Sequence, residues 1–152
     1  DAQRRLQSVI PNVAMAVSSD LGDSLNVNPT QKKEIGVRLA LLALKNAYHH
    51  NIIANGPVAL NAIKKENTIV VTFNDAKELK PSAGLVLRGF EIEDDKGNHL
   101  PVKASILKNK VHLVVPSGLT VSKVLYAWQP FTRANLVNEA GLPASTFSIT
   151  IK

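Results

Sequence analysis

Ser24 and four histidines are the first side chains of this 152-residue sequence to consider for nucleophilic or metal-assisted chemistry. A serine hydroxyl would need an imidazole base to attack an ester. The histidines are His49, His50, His99 and His112. None of them has a carboxylate neighbour at metal-ligand spacing. There is no cysteine, which excludes disulfides, cysteine nucleophiles and thiolate metal sites. We therefore expect no metal and no cofactor, and surface positions for the histidines.

The chain is basic, with 18 Lys and Arg against 12 Asp and Glu and a net charge of +6. The basic residues are scattered, and only 5% of residues are aromatic, so surfaces for base stacking are scarce. The longest apolar runs, Val13–Val17 and Leu39–Leu44, are far shorter than the roughly 20 residues of a membrane span. We expect neither nucleic acid nor a membrane as partner. The start at Asp1 has no signal-peptide core and no initiator methionine, which suggests that the chain begins inside a longer gene product.

The first 54 residues are predicted to be an α/β segment. Apolar residues at helical spacing predict a short helix over Ala2–Ile10. Val13–Val17 is a continuous apolar run of strand length, which is typical of a strand buried on both faces in a parallel sheet. Turn-forming residues then predict a polar loop over Ser18–Pro29.

A second helix is predicted from Thr30, a suitable N-cap residue, to Tyr48. Lys33, Arg38 and Lys45 leave it only a narrow solvent-facing side. A helix with so wide an apolar face is typically covered by more than one neighbour.

Asn55–Pro57 marks a predicted domain boundary, since Gly and Pro interrupt regular structure. Beyond it, seven short strands separated by turn residues predict an all-β antiparallel sandwich over residues 55–152. The predicted strands are Ala59–Ile63, Thr68–Phe73, Leu85–Glu91, Val102–Leu107, Lys110–Val115, Lys123–Trp128 and Phe147–Ile151. The aromatic side chains interpreted as part of its core are Tyr126, Trp128, Phe131 and Phe147.

Two blocks of sequence carry a resemblance to a known family. The first comprises Pro11–Val17, Asp20–Asp23, Asn28–Pro29, Lys32 and Glu34–Leu41, and the second Val124–Trp128, Ala134–Ser145 and Phe147. Both are similar to bacterial sialate O-acetylesterases, carbohydrate esterases of the SGNH, or GDSL-like, hydrolase type. The resemblance implies an α/β fragment, namely the last strand and helix of a flavodoxin-like SGNH hydrolase sheet, over residues 1–54. The antiparallel sandwich would follow it.

The segment Gly22–Leu25 also matches the nucleophile motif of GDSL hydrolases. In that family the nucleophile follows the first strand of the α/β domain, whereas here a single helix remains before the β region. We interpret Ser24 as a chance match and expect the true nucleophile upstream of this chain.

The resemblance places the family's catalytic acid and base in the polar loop. Where the family has Asp and His, this sequence has Asn26 and Asn28. The base must accept the serine proton near neutral pH, which an amide cannot do. Two such changes suggest a natural pseudoenzyme or deliberate inactivation. The alternative is that both residues are ordinary turn residues beside Pro29.

Two functions therefore remain open. The chain is the C-terminal portion of a carbohydrate O-acetyl esterase, or it is a non-catalytic β-sandwich module that binds glycan or braces a neighbouring domain. For the esterase, the resemblance implies an O-acetylated sugar such as sialic acid as substrate and the remaining N-terminal part of the same protein as partner. It also implies a secreted or periplasmic location.

Overall fold

A computed structural model of the chain describes residues 1–26, 28 and 30–152. Val27 and Pro29, which belong to the predicted polar loop, lie outside the described residues. Two helices, α1 (Ala2–Leu6) and α2 (Lys32–Asn46), precede ten strands in the described part. The strands are β1 (Val58–Lys65), β2 (Thr68–Asn74), β3 (Leu79–Pro81), β4 (Phe90–Asp94), β5 (His99–Pro101), β6 (Ala104–Leu107), β7 (Lys110–Val114), β8 (Val121–Tyr126), β9 (Leu136–Asn138) and β10 (Phe147–Thr150).

Eight strands form two four-stranded sheets, in the orders β1-β2-β7-β6 and β10-β8-β4-β5, and β3 pairs with β9. All pairings between these strands are antiparallel. The two large sheets contribute to one hydrophobic core, so the arrangement is sandwich-like, as predicted after residue 55. Its members from the two sheets include Ile69, Val71, Val111, Leu113, Phe90, Ile92, Val124 and Tyr126.

The edges of the two sheets are linked to each other. Ala62 in β1 forms an isolated parallel bridge with Ile151, and the N–H of Lys152 donates to the carbonyl oxygen of Ala62 at 2.9 Å. On the other side, Leu87 forms a bridge with Ala104 at the start of β6. Open strand edges can pair with other chains, so these links limit the edge left exposed.

Burial alternates along β7, as the order of apolar and polar residues from Lys110 to Leu113 predicts. Val111 and Leu113 are fully buried, whereas Lys110 and Val114 are exposed. A strand that covers a core with one face requires this period of two. The sequence did not predict β3, β5 and β9, which have three residues each. Leu85, predicted to begin a strand, is instead 98% exposed on the loop before β4.

The prediction of an α/β fragment at residues 1–54, the last strand and helix of a flavodoxin-like SGNH hydrolase sheet, is wrong. The chain is mostly β with antiparallel sheets, and its two helices have only 5 and 15 residues. Val13–Val17 forms no strand, and Val13 is exposed. A strand is maintained by backbone hydrogen bonds to a neighbouring strand, and none of the described residues supplies one here.

Helix α2 is also turned differently from the prediction. The side chain of Arg38, expected on the solvent side, is only 12% exposed. Leu39 and Leu44, expected under neighbours, are 53% and 37% exposed, and Val37 is 50% exposed. The physical reason is an ion pair between Arg38 and Asp20, which turns the polar side of the helix toward the preceding loop.

A buried asparagine, Asn138 in β9, forms hydrogen bonds to the segment before β1, to the end of β2 and to the turn that follows β9. Its Nδ2 donates to the carbonyl oxygens of Asn55 at 2.9 Å and Asp75 at 3.1 Å. Its Oδ1 accepts from the N–H groups of Ala140 at 3.2 Å and Leu142 at 3.0 Å. The residue is fully buried, so its amide has no water to replace these partners.

We expect Asn138→Ala to lower the free energy of unfolding by about 2–4 kcal/mol, because buried carbonyl and N–H groups lose their partners. Urea denaturation of both proteins measures the difference. Asn51→Ala, at an exposed position, is the matched control and should change stability by less than about 0.5 kcal/mol. Equal losses in the two variants would contradict the structural role of Asn138.

Candidate active site

The loop that precedes α2 contains the predicted catalytic positions, and Arg38 fixes its start. The Arg38 guanidinium donates from Nη1 to Oδ1 of Asp20 at 2.7 Å and from Nη2 to Oδ2 at 2.6 Å. Nη1 also donates to the carbonyl oxygen of Val17. A bidentate pair of this kind sets orientation as well as distance. The helix and the first residues of the loop are therefore positioned by one side chain.

Two local turns shape the middle of the loop. Oδ1 of Asp23 accepts from the N–H of Leu25 at 2.9 Å, and Oδ1 of Asn26 accepts from the N–H of Asn28 at 2.9 Å. In both, a side-chain oxygen binds the backbone two residues later, which is the geometry of an Asx turn. Ser24 lies between the acceptor and donor of the first turn and is exposed.

The structure thus brings Asn26 and Asn28 together at the surface, and both are exposed. Asn26 uses its side chain for the turn, whereas Asn28 contributes only its backbone N–H to that bond. Neither amide can take up a proton near neutral pH, so neither can act as a general base. Their assignment to the family's acid and base positions stays a prediction.

A cleft of about 580 Å³ separates this loop from the sandwich. Asp20–Ser24 form part of one wall, and Arg88, Phe131 and Arg133 lie on the other. Phe131 was predicted to belong to the core, but it lines the cleft and is 40% exposed. Trp128, also predicted in the core, is half-buried. The sandwich therefore contributes cationic and aromatic side chains to the same cleft as the loop.

The sandwich wall of the cleft depends on Asn135, which sequence analysis did not single out. Its Oδ1 accepts from the N–H of Arg88 at 2.8 Å, and its Nδ2 donates to the carbonyl oxygens of Ala83 at 3.3 Å and Val86 at 2.9 Å. Asn135 is 5% exposed, and its own carbonyl oxygen accepts from the N–H of Ser82 at 2.7 Å. The available signal was an amide side chain directly before the apolar pair that opens β9.

Tyr126 connects this wall to the core, where its burial and that of Phe147 confirm the prediction. Its ring centroid lies 4.7 Å from that of Phe90 and 5.4 Å from that of Phe147, and its hydroxyl oxygen accepts from the N–H of Leu136 at 2.8 Å. Burial raises the pKa of this phenol well above its usual value, and the charge of Asp20 acts in the same direction. The N–H of Leu136 acts in the opposite direction. Tyr126 therefore stays protonated and serves as a structural group.

The histidines are dispersed. His49 and His50 are exposed after α2, and His112 lies on β7. Nε2 of His99 lies 3.4 Å from a carboxylate oxygen of Glu93. Across residues 1–26, 28 and 30–152, no three His, Asp or Glu side chains gather in a group that could hold a metal ion.

None of the helices in the described ranges is long and apolar enough to cross a membrane.

The chain is similar to a carbohydrate acetylesterase from Xanthomonas citri, with a TM-score of 0.87 and 28% sequence identity over 95% of this chain. It spans 34% of that protein, about a third of its length. No family model matches the sequence, and no curated protein matches it. The likeness supports a carbohydrate esterase-like fold for this chain.

Ser24 is not expected to act as a nucleophile in this chain, because no histidine among the described residues lines the cleft beside it. We expect the chain to release nitrophenol from 4-nitrophenyl acetate no faster than its Ser24→Ala variant does. Ser19→Ala, at an exposed position of the same loop, is the matched control. Turnover that Ser24→Ala abolishes and Ser19→Ala preserves would contradict this expectation.

Proposed function

We propose that this chain is the C-terminal portion of a protein of the carbohydrate O-acetyl esterase type, whose reaction is the hydrolysis of acetyl esters on sugars through a serine acyl-enzyme, with the acid and base positions replaced by asparagine here. The observation that carries the proposal is the likeness to a carbohydrate acetylesterase over 95% of this chain. Because the chain spans 34% of that protein, we expect the nucleophilic serine in a part that this sequence does not include. The proposed substrate is an O-acetylated sugar such as sialic acid, which also leads us to expect a secreted or periplasmic protein.

In this proposal Asn26 and Asn28 stand where the acid and base would act. The base takes the serine proton during attack and returns it to the leaving alcohol, and the acid orients the imidazole. A neutral amide at position 28 can do neither step, and removal of a catalytic His typically lowers the rate by several powers of ten. We therefore infer that the site in its present form is inactive.

The exposed apolar side of α2 supports the proposal that an upstream segment of the same protein is the partner of this chain. Val37 and Leu44 are seven residues apart, so they lie on one side of the helix, and both are exposed. Burying an apolar side chain of this size contributes about 1.5–3 kcal/mol. A sheet that covered α2 would bury these side chains and be stabilised by this amount. About two thirds of the acetylesterase has no counterpart in this chain, so we propose that the covering sheet belongs to the corresponding upstream part of this protein.

We expect the isolated chain to bind an apolar dye and to self-associate through α2. The double variant Val37→Lys/Leu44→Lys should reduce both dye fluorescence and the sedimenting oligomer. Leu60→Lys/Leu107→Lys removes two exposed leucines that lie on different strands, β1 and β6, and should change neither measurement much. A chain that is monomeric and dye-free before any substitution would contradict the proposed partner surface.

The catalytic assignment is tested by restoring the two side chains in the chain joined to the upstream part of its gene product. Asn28→His should recover part of the activity, Asn26→Asp alone almost none, and the double variant much more than the sum. This non-additivity is expected because an orienting carboxylate is useful only beside an imidazole. Acetate release from O-acetylated sialic acid measures all four forms.

A folded double variant that stays inert although the upstream serine is present would instead favour the second function. The chain would then be a non-catalytic β-sandwich module that binds glycan or braces its neighbour. In that case Asn26 and Asn28 would serve only to form the turn and would have no catalytic counterpart.

A further inference from the structure

We propose that the sandwich wall of the cleft is a subsite for the carboxylate of an acidic sugar, formed by Arg88 and Arg133 with Phe131 beside them. The inference rests on the proposed function in one respect, that the bound sugar is of the acetylated class on which such an esterase acts. It assigns substrate selection to the sandwich.

The charges of the cleft favour an anionic ligand. Among the residues that the structure describes, neither Arg88 nor Arg133 forms an ion pair, and both are exposed to the cleft. Of the two carboxylates on the opposite wall, Asp20 is neutralised by a bidentate pair with Arg38. Asp23 alone remains to oppose two guanidinium groups. Guanidinium groups bind carboxylates through paired charge-assisted hydrogen bonds.

The backbone that carries these groups is fixed before any ligand binds. Asn135 holds the N–H of Arg88 at 2.8 Å and two carbonyl oxygens of the loop before it. On the other side, Oγ1 of Thr132 accepts from the N–H of Ala134 at 3.1 Å, which shapes the backbone around Arg133. A backbone held in this way reduces the ordering entropy lost on binding.

The third group suits a sugar ring. Phe131 is 40% exposed, and its ring can contact the C–H face of a pyranose while the guanidinium groups bind its carboxylate. The cleft volume of about 580 Å³ lies in the usual range for small-ligand sites, about 300–1,000 Å³. An acidic monosaccharide therefore fits the cleft in size, charge and polarity.

The test compares acids with matched neutral sugars on the full 152-residue chain. The two pairs are the methyl glycoside of N-acetylneuraminic acid against its carboxyl methyl ester, and methyl glucuronide against methyl glucoside. NMR titration follows the amide signals of Arg88, Ala134 and Asn135. We expect at least one acid to bind about five-fold or more tightly than its neutral partner. Equal affinities within both pairs would overturn the proposal.

The variants assign that preference to residues. Arg88→Gln and Arg133→Gln should each weaken binding of the acid about ten-fold and leave the neutral sugar unchanged, since only the charged contact is lost. Phe131→Ala should weaken both. Lys65→Gln removes one positive charge from the exposed end of β1 and is the matched control, with less than about a two-fold effect. Arginine variants that keep the preference for the acid would overturn the assignment.

The result is separable from the proposed function. Binding needs no nucleophile, so a charge-dependent subsite stands even if the restored double variant releases no acetate. Conversely, a restored esterase that cleaves acidic and neutral acetylated sugars at equal rates would retain the proposed function and overturn the subsite.

Discussion

The hydrogen bonds of the Asn138 side-chain amide hold together the three chain segments that meet where the chain enters the sandwich. The amide donates to the carbonyl oxygens of Asn55 and Asp75 and is fully buried, so the entering segment, the end of β2 and the closing segment are fixed to one another. The same place leaves no room for a side chain at Gly56, where a Cβ would lie 1.9 Å from the carbonyl oxygen of Pro143. Polar satisfaction and close backbone contact therefore act together at the point where the chain enters the sandwich.

The sandwich could be predicted from sequence where strands are long enough to show a period. Val111 and Leu113 are buried and Lys110 is exposed because β7 covers the core with one face only. Strands of three residues, such as β9, are too short to show alternation. The place of β9 is set instead by contacts remote in sequence, from Asn138 to Asn55 and from Leu136 to the hydroxyl of Tyr126. Composition and periodicity contain no record of such contacts.

The structure of the first 54 residues could not be predicted because an apolar pattern does not say what, if anything, covers it. The apolar run Val13–Val17 and the apolar sides of α2 are those of buried elements, yet Val13 and Val37 are exposed. The ion pair between Arg38 and Asp20 holds the polar side of the helix against the preceding loop. The spacing of apolar residues shows how much of the surface of a helix is apolar. Which side of the helix is buried depends on the neighbouring residues it contacts. The short, partly buried bidentate pair between Arg38 and Asp20 fixes orientation as well as distance, so it favours this placement of the polar side.

In the loop of the candidate site, the residues needed to form the turn differ from those needed for catalysis. The turn at Asn26 needs an oxygen acceptor at that position and a backbone N–H at position 28. An aspartate would supply the same acceptor, and a histidine would supply the same N–H, so the loop geometry does not require either asparagine. Asp23 already makes the equivalent turn three residues earlier in the loop with a carboxylate oxygen. The side chain of Asn28 takes no part in the turn bond that its backbone makes, and it remains exposed. Folding of this loop is thus compatible with Asp and His at the two positions, so the turn bond alone does not account for the choice of asparagine at both.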